Sequence, residues 1–580
     1  LLIDAPSDPV AGDGIEPSAA SAAPSGPAGR GRARSLALRL GASVAGVVGL
    51  VVFFYFIGLH VYPGNSDKAT IILEGQAVAH GNVLLHGWSV TLDSYWTTDA
   101  LISALTVLAV GARAQLVHLE PAIVLALTTG AGMLAAADAG TTRRARWAGA
   151  ATVLVLVALA APEFQHFLLA GAWHVSTALV ALGAFFALRS GRFGLFWGLG
   201  VALLALGCLG DLETVAYGVV PVACAGLVAV RRDRSWQAGS APVGAAAASV
   251  VAFLAARRIA VALGAFRTVK PWPLAPLHRV LANVPAMGHY SAQLLGIMPP
   301  SPATGFVPHG AARLLVWSHL IGGLVIVGAV VLAVVALATV LLRGGTAEAP
   351  ARESRSETPP VRIEDMLVFA VAGSAVSFLF QSEAGSVADA RYLTAGALFA
   401  TILAGRTVAS RAAELIRAPW RRPVAAAAAT LVLLFGAVTG IELGSANYPA
   451  PAQTLTSWLE SHHLDAGLGD YWAASITTLE SGGRVHVRPI AAGANGLLGA
   501  IGGQTDTAWY RGSDFEFVVI KEPSWDRVSV SAARRTFGPP DHLYRLGIYR
   551  VLVWDRPVVV FPRPRLVAQP ARPGAARARA

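Results

Sequence analysis

Charge is scarce in this chain. Asp, Glu, Lys and Arg make up 14% of its 580 residues, against about 25% in soluble domains. With 54% AVILMFWYC residues and a mean hydropathy of +0.56, that shortage excludes a string of soluble domains and implies a surface that faces lipid. Cysteine is nearly absent. Cys208 and Cys224 both lie in apolar runs, which excludes a disulfide scaffold and a cysteine zinc site. Lysine is almost as rare: Lys68, Lys270 and Lys521 stand against 42 arginines. No Walker lysine motif, HExxH or GxSxG occurs, so the marks of P-loop, zincin and α/β-hydrolase chemistry are missing.

What is present is a series of long apolar runs. Runs of about 17–25 apolar residues qualify as membrane spans. They fall near 36–61, 116–138, 146–162, 173–189, 193–210, 213–230, 241–263, 313–342, 364–381, 391–412 and 423–443. The expected fold class is therefore an α-helical polytopic membrane protein of about 11 transmembrane helices. The net charge of +11 is no sign of nucleic-acid binding, because no basic stripe is interleaved with aromatics. Instead the arginines gather between spans, at Arg143/Arg144/Arg146, Arg189/Arg192, Arg231/Arg232/Arg234, Arg343–Arg362 and Arg417/Arg421/Arg422. With eleven crossings all these clusters share the side of the N-terminus, which the positive-inside tendency makes cytoplasmic. The expected location is the plasma (inner) membrane of a bacterial cell, with the C-terminus outside.

Between the spans lie two long outer loops, 62–115 and 264–312. The first is expected to hold two surface helices, at Ser66–Gly81 and Asp93–Arg113; Ala100–Ala112 is too short an apolar stretch to cross a bilayer. The second carries the Pro/aromatic stretch from Lys270 to Pro276. Residues 1–35 read as a disordered cytoplasmic tail and 562–580 as a basic, Pro-rich end. From 447 to 561 the pattern changes to a small extracytoplasmic α/β domain. Strands are expected at 484–490, 514–520 and 549–555, and in 451–464 Leu455, Trp458, Leu459 and His462 share one helical face. The domain's aromatics, Tyr471 among them, suit a packed core or stacking on sugar rings. No internal repeat is visible, which weakens an inverted-repeat transporter.

Ionisable groups collect at the outer ends of the spans: Asp67, Lys68, Asp93, Asp99, Glu163, His166, His174, Asp211, Glu213, Arg267, Lys270, Arg279, Glu383, Asp389 and Arg391. Groups of this kind near a bilayer are functional candidates by default. Acids and cations on one face suit an anionic substrate and a proton acceptor.

In this arrangement the chain resembles the GT-C superfamily of integral-membrane glycosyltransferases, which includes protein O-mannosyltransferases and lipid A aminoarabinose transferases. The resemblance runs from about 36 to 443 and rests on the order of several motifs. A first span ends in the acidic "YPGNSDKA" (62–69), followed by two juxtamembrane helices. "GDLET" (210–214) forms a short polar turn, and "ARYLTAGALFA" (390–400) looks like the family's "RYLLP" helix start. "DYWAASITTLESGGRV" (470–485) looks like the C-terminal portion of some bacterial members. Two positions depart from the pattern: Lys68 stands where the acidic pair has its Glu, and Ala395 replaces the proline.

The resemblance implies inverting transfer of a sugar from a polyprenyl-phosphate donor to a cell-envelope glycan, lipid or protein at the outer face. A lipid phosphate leaves readily, so the chemistry needs one carboxylate to take the acceptor's proton and cations to hold the phosphate charge. Asp67 is the expected base. Arg391, whose guanidinium matches phosphate oxygens, Lys270, Arg267 and Lys68 are the expected phosphate ligands. Lys68 alternatively tunes its neighbour Asp67. Glu163, His166, Asp211, Glu213 and Tyr392 are the expected acceptor- and sugar-binding groups, with helix capping an equal reading for Asp211 and Glu213. A divalent cation is left open: acids lie near the site, His166 and His174 lack a tight ligand spacing, and no spacing demands a metal. A lipid-linked sugar flippase and a non-catalytic scaffold of an envelope-synthesis complex are the alternatives.

Overall fold

The structure is a computed structural model. It describes residues 27–171, 174–269, 274–301, 309–343, 361–382, 384, 387–415, 421–445, 451–511, 514–524 and 526–560. Lys270, Glu383, Trp525 and the end segments 1–26 and 561–580 lie outside them. The chain divides into two units at Gly49 and Leu50, and every element after the first helix belongs to the second.

The helices begin with α1 (Pro27–Val61), α2 (Ser66–Ala79), α3 (Asp99–Val110), α4 (Leu116–Asp138), α5 (Arg143–Ala158) and α6 (Pro162–Leu169). They continue as α7 (Val175–Leu188), α8 (Leu195–Gly210), α9 (Val220–Asp233, entered through a π-helical turn), α10 (Trp236–Ala262) and α11 (Leu277–Leu294). Next come α12 (Ala311–Val316), α13 (His319–Arg343), α14 (Ile363–Leu379), α15 (Arg391–Leu415) and α16 (Arg421–Ser445). Among the described residues seven helices are long and apolar enough to cross a membrane, or eight if the bent pair α5–α6 is one span.

Among the described residues four of the eleven expected spans are broken or short: 146–162, 173–189, 193–210 and 364–381, the last two being helices of 16 and 17 residues. The apolar run at 146–162 is interrupted: α5 stops at Ala158, and the chain turns by 84° before Pro162 opens α6. The run at 173–189 loses its first residues, because His174 takes a left-handed φ of 64° and α7 starts only at Val175. Its 14 residues rise about 21 Å, short of a hydrocarbon core of roughly 30 Å. Apolar composition is continuous through such breaks while helix direction is not. In the first outer loop, residues 93–98 are likewise not helical, and the second helix there begins at Asp99.

Beyond α16 the chain adds α17 (Pro451–Ser461), α18 (Tyr471–Glu480) and α19 (Val530–Phe537) around a sheet. Its strands are β3 (Ala466–Asp470), β4 (His486–Ala492), β5 (Leu498–Ala500), β7 (Phe515–Lys521), β8 (His542–Leu546) and β9 (Tyr549–Val558), in the order β5-β4-β3-β7-β9-β8. β3 runs parallel to β4 and β7; the other pairings are antiparallel. Both faces are covered, which is why "FVVI" reads as an unbroken apolar run. Phe517, Val519 and Val551 pack under Leu455 and Leu459 of α17 and Ala473 and Ala474 of α18. Val518, Ile520 and Leu552 pack under Ala532 and Ala533 of α19.

Two junctions tie this α/β part to the helices. A second sheet joins three distant segments: β1 (Trp88–Val90) of the first outer loop pairs with β2 (Arg267–Thr268) of the second and with β6 (Thr505–Asp506). Trp88 meets Trp509 edge-on at 5.0 Å across it. The other junction lays α18 along α2, with Ala69 and Ile72 in one core with Leu116, Val117, Ile476 and Leu479.

Candidate active site

Helix direction sorts the ionic groups into two sets. The C-terminal ends of α4, α7 and α9 and the start of α14 share ordinary ion pairs, Arg189–Asp138 at 3.1 Å and Arg232–Asp365 at 2.7 Å. The starts of α4, α7 and α15 and the end of α8 carry a different set, and the candidate site is there.

Asn65 builds its first part. As N-cap of α2 it accepts the Lys68 N–H at 3.0 Å, which places Asp67 in the first helical turn, where a carboxylate is favoured by the free N–H groups. Asp67 is half-buried. Its Oδ1 accepts the Tyr471 hydroxyl at 2.6 Å, and that hydroxyl also meets Gln504 Oε1. Lys68, one residue on, points elsewhere. Its Nζ lies 3.0 Å from Glu120 Oε2 and 3.6 Å from Asp99 Oδ1, and the residue is 1% exposed. Burial works against its charge, but the two carboxylates outweigh it and hold the ammonium protonated. Lys68 therefore ties three helices together and presents no free cation to a phosphate.

The second part is built on the loop 91–98, which docks on the end of α8. The Tyr95 N–H donates to the Gly210 carbonyl at 2.6 Å, and the Ser94 hydroxyl reaches the same oxygen at 3.2 Å. A β-carbon at Gly210 would lie 2.9 Å from Thr97 Oγ1, so any larger residue would have to push the Thr97 side chain aside. Asp211 follows, fully buried, and its oxygens are occupied. Oδ2 accepts His174 Nδ1 at 2.7 Å and the Thr177 hydroxyl; Oδ1 accepts the Glu213 N–H at 3.0 Å. The imidazole of His174 lies 5.3 Å from the Tyr392 ring, tilted by 31°. Its Nε2 is buried and has no hydrogen-bond partner among the described residues. Arg391 donates from Nη2 to the Tyr392 hydroxyl at 3.1 Å and lies over that ring at 4.9 Å. The Tyr392 carbonyl accepts from Tyr217 at 3.0 Å and Ser374 at 2.7 Å. Asp93, Glu213, Arg391 and Tyr392 are each half-buried and form the open side of this cluster.

One polar chain links the two parts. Asp99, held by Lys68, accepts the hydroxyl of Ser176. The next residue, Thr177, donates to Asp211, which holds His174.

Of the remaining candidates, Glu163 and His166 belong to a second polar group around the end of α1. Glu163 is 1% exposed, and its Oε2 accepts the Ser301 N–H at 2.8 Å. The His166 ring lies 5.2 Å from that of Tyr62, whose hydroxyl donates to Glu442 at 3.3 Å. Arg267 is exposed on β2, and Lys270 lies outside the described residues. Among the described residues no three His, Cys, Asp or Glu side chains converge in a way that would hold a metal ion. Surface clefts of about 350 Å³, between α17, α18 and the start of α4, and about 720 Å³, beside Pro523, do not border these groups.

The structure adds residues to the site that sequence reading leaves without a role. Asp93 stood only among the outer-loop acids, and Tyr471 only among aromatics for core or stacking. Neither carries a local signal of its partner, since Tyr471 lies 404 positions from Asp67. Asp93 is also the site's clearest electrostatic anomaly. Burial, then the negative charges of Asp211 and Glu213, push its carboxyl up to about 7 against the pull of His174 and Arg391. A carboxyl raised on folding favours the folded state fully below its unfolded value, about 3.9. That contribution is lost as pH climbs from there to about 7. The wild type should therefore lose roughly a few degrees of melting temperature across this window that Asp93→Asn does not lose. Parallel melting curves for the two proteins would refute the assignment.

No family model matches the chain, and no curated protein matches it. Its structural neighbours are forms of ArnT from Cupriavidus metallidurans. ArnT bound to undecaprenyl phosphate is 13% identical, with a TM-score of 0.48 over 88% of this chain and 97% of that one. ArnT in the apo state is 14% identical, with a TM-score of 0.41 over 89% and 98%.

Proposed function

We propose that this protein is a membrane glycosyltransferase that moves a sugar from a polyprenyl-phosphate-linked donor to a cell-envelope glycan, lipid or protein. The observation that carries this reading is the convergence at one end of the helices. A half-exposed carboxylate, Asp67, and a half-exposed guanidinium, Arg391, flank a buried polar chain in which Lys68 holds Asp99, Ser176 donates to Asp99, and Thr177 donates to Asp211. A site at the ends of apolar helices suits a donor whose lipid lies in the bilayer and whose phosphate lies at its surface. The GT-C-like order of motifs in the sequence supports the same chemistry.

In this reading the site faces the extracytoplasmic side. The acceptor hydroxyl attacks the anomeric carbon from the face opposite the phosphate and inverts it. The new glycosidic bond forms as the carbon–oxygen bond to the phosphate breaks; the proton passes to Asp67 and the electron pair leaves with the polyprenyl phosphate. Arg391 takes up the phosphate charge, with Arg267 and Lys270 of the second outer loop as further cations. Glu213 and Tyr392, on the open side, contact sugar hydroxyls. Asp211, its oxygens already engaged, orients His174. Glu163 and His166 serve the acceptor. Lys68 holds the helix that carries Asp67.

The test is donor consumption by purified protein in nanodiscs, with a panel of polyprenyl-phosphate sugars and release of polyprenyl phosphate as the readout. Folded protein that consumes none of them overturns the proposal. Within that assay Arg391→Lys keeps the charge but loses the planar fork. Its donor KM should rise about tenfold, the effect of one charge-assisted hydrogen bond. A donor KM at the wild-type value would remove Arg391 from the phosphate site.

A further inference from the structure

The α/β part reaches into the site at one point. Asp470 caps α18, accepting the Trp472 N–H at 3.1 Å, and Asp526 Oδ2 accepts the Tyr471 N–H at 2.9 Å. The start of α18 is thereby pinned, and Tyr471, 2% exposed, is directed at Asp67. The seam between the helices continues one turn further, where the Thr70 hydroxyl donates to Ser475 Oγ at 2.8 Å. Residues 67 and 70 on α2 thus meet 471 and 475 on α18, the spacings that share a helix face. A β-carbon at Gly64, just before α2, would lie 3.1 Å from Ile476 Cδ1, so the two helices approach closely.

From this geometry we infer that Tyr471 is a positioning residue, through which the C-terminal α/β part orients the carboxylate of Asp67 for proton transfer. The inference rests on the role proposed above for Asp67. The phenol has one proton and two acceptors in reach, Asp67 Oδ1 at 2.6 Å and Gln504 Oε1; with the Gln504 amide turned so that its NH2 donates to the phenol oxygen, the proton goes to the carboxylate. Burial, then the charge of Asp67, push the phenol well above its ordinary value, so it stays a neutral donor. With Oδ1 engaged, Oδ2 is the oxygen left for an acceptor proton. The other titratable groups facing this junction are Asp526 and Glu74, whose fields reach Asp67 and Tyr471 respectively, and Lys68 on the same helix, committed to Glu120 and Asp99.

The experiment compares wild type, Tyr471→Phe and Ser475→Ala as full-length proteins. Tyr471→Phe removes the hydroxyl and keeps the ring; Ser475→Ala breaks the seam at Thr70, whose hydroxyl also bonds Tyr471, and leaves the Tyr471 hydroxyl on Asp67. Two readouts are taken at one fixed pH: carbodiimide labelling of Asp67 by peptide mass spectrometry, which needs no substrate, and donor turnover. In Tyr471→Phe the labelling of Asp67 should rise severalfold, because Oδ1 loses its hydrogen-bond donor. In the same variant kcat should fall about tenfold, with donor KM unchanged. Ser475→Ala should match wild type in both readouts. Unchanged labelling in Tyr471→Phe overturns the inference, as does an equal rise in Ser475→Ala, which would mean seam packing alone. If wild type turns over no donor while labelling still rises in Tyr471→Phe, glycosyl transfer fails and the contact of Tyr471 with Asp67 stands.

Discussion

Asp67→Asn should consume polyprenyl-phosphate sugar about a thousandfold more slowly than wild type, within the range for loss of a general base. The substitution is nearly isosteric. The amide can still accept from Tyr471, and its place in the first turn of α2 still suits a polar side chain. It cannot take a proton at neutral pH. Folding should survive, so loss of turnover reports on chemistry. The measurement is release of polyprenyl phosphate by the two proteins side by side, with equal melting temperatures as the control. Near-wild-type turnover in Asp67→Asn would remove this residue from the proton transfer and leave Asp93 as the next acid to test.

Lys68→Met should act on the fold itself. Removing the ammonium leaves Glu120, fully buried, and Asp99, 4% exposed, facing each other without their cation. Breaking one partner out of a buried ionic group costs about 3–5 kcal/mol, because the remaining charge has neither water nor a counter-charge. The Ser103 and Thr106 hydroxyls donate to Glu120 at 2.5 and 2.7 Å but carry no compensating charge. Lys68→Met should therefore melt many degrees below wild type or fail to accumulate. Adding Glu120→Gln and Asp99→Asn removes the stranded charges and should restore much of the loss. A single variant that melts at the wild-type temperature would refute the structural role. One that is stable but binds donor poorly would return Lys68 to the phosphate site.

Residues 451–560 show where sequence pattern is a sound guide. Alternation and β-branched runs mark strands because a strand's environment is set by residues two positions apart. Thus "RVHVRPI" and "DFEFVVI" lie at β4 and β7, and the Leu455/Leu459 face of α17 packs on the sheet. The spans show where the guide weakens. Hydropathy sums composition over a window, and neither the 84° turn between α5 and α6 nor the left-handed His174 changes composition. The candidate site shows where it stops. Lys68 beside Asp67 has the sequence of a cation next to a base, and only the arrival of Glu120 from α4 makes it a structural ammonium.

By itself, then, the sequence determined what depends on near neighbours: apolar helices for a lipid surroundings, an α/β part after them, and polar groups gathered at helix ends, because hydropathy and local periodicity act over a few residues. The tertiary structure alone decided which of those groups face one another. Tyr471 reaches Asp67 across 404 positions, and the sheet β2-β1-β6 joins segments around 89, 267 and 505. Such pairings arise from the packing of distant helices and strands, and a side chain's charge state and role follow from the partner that packing brings to it.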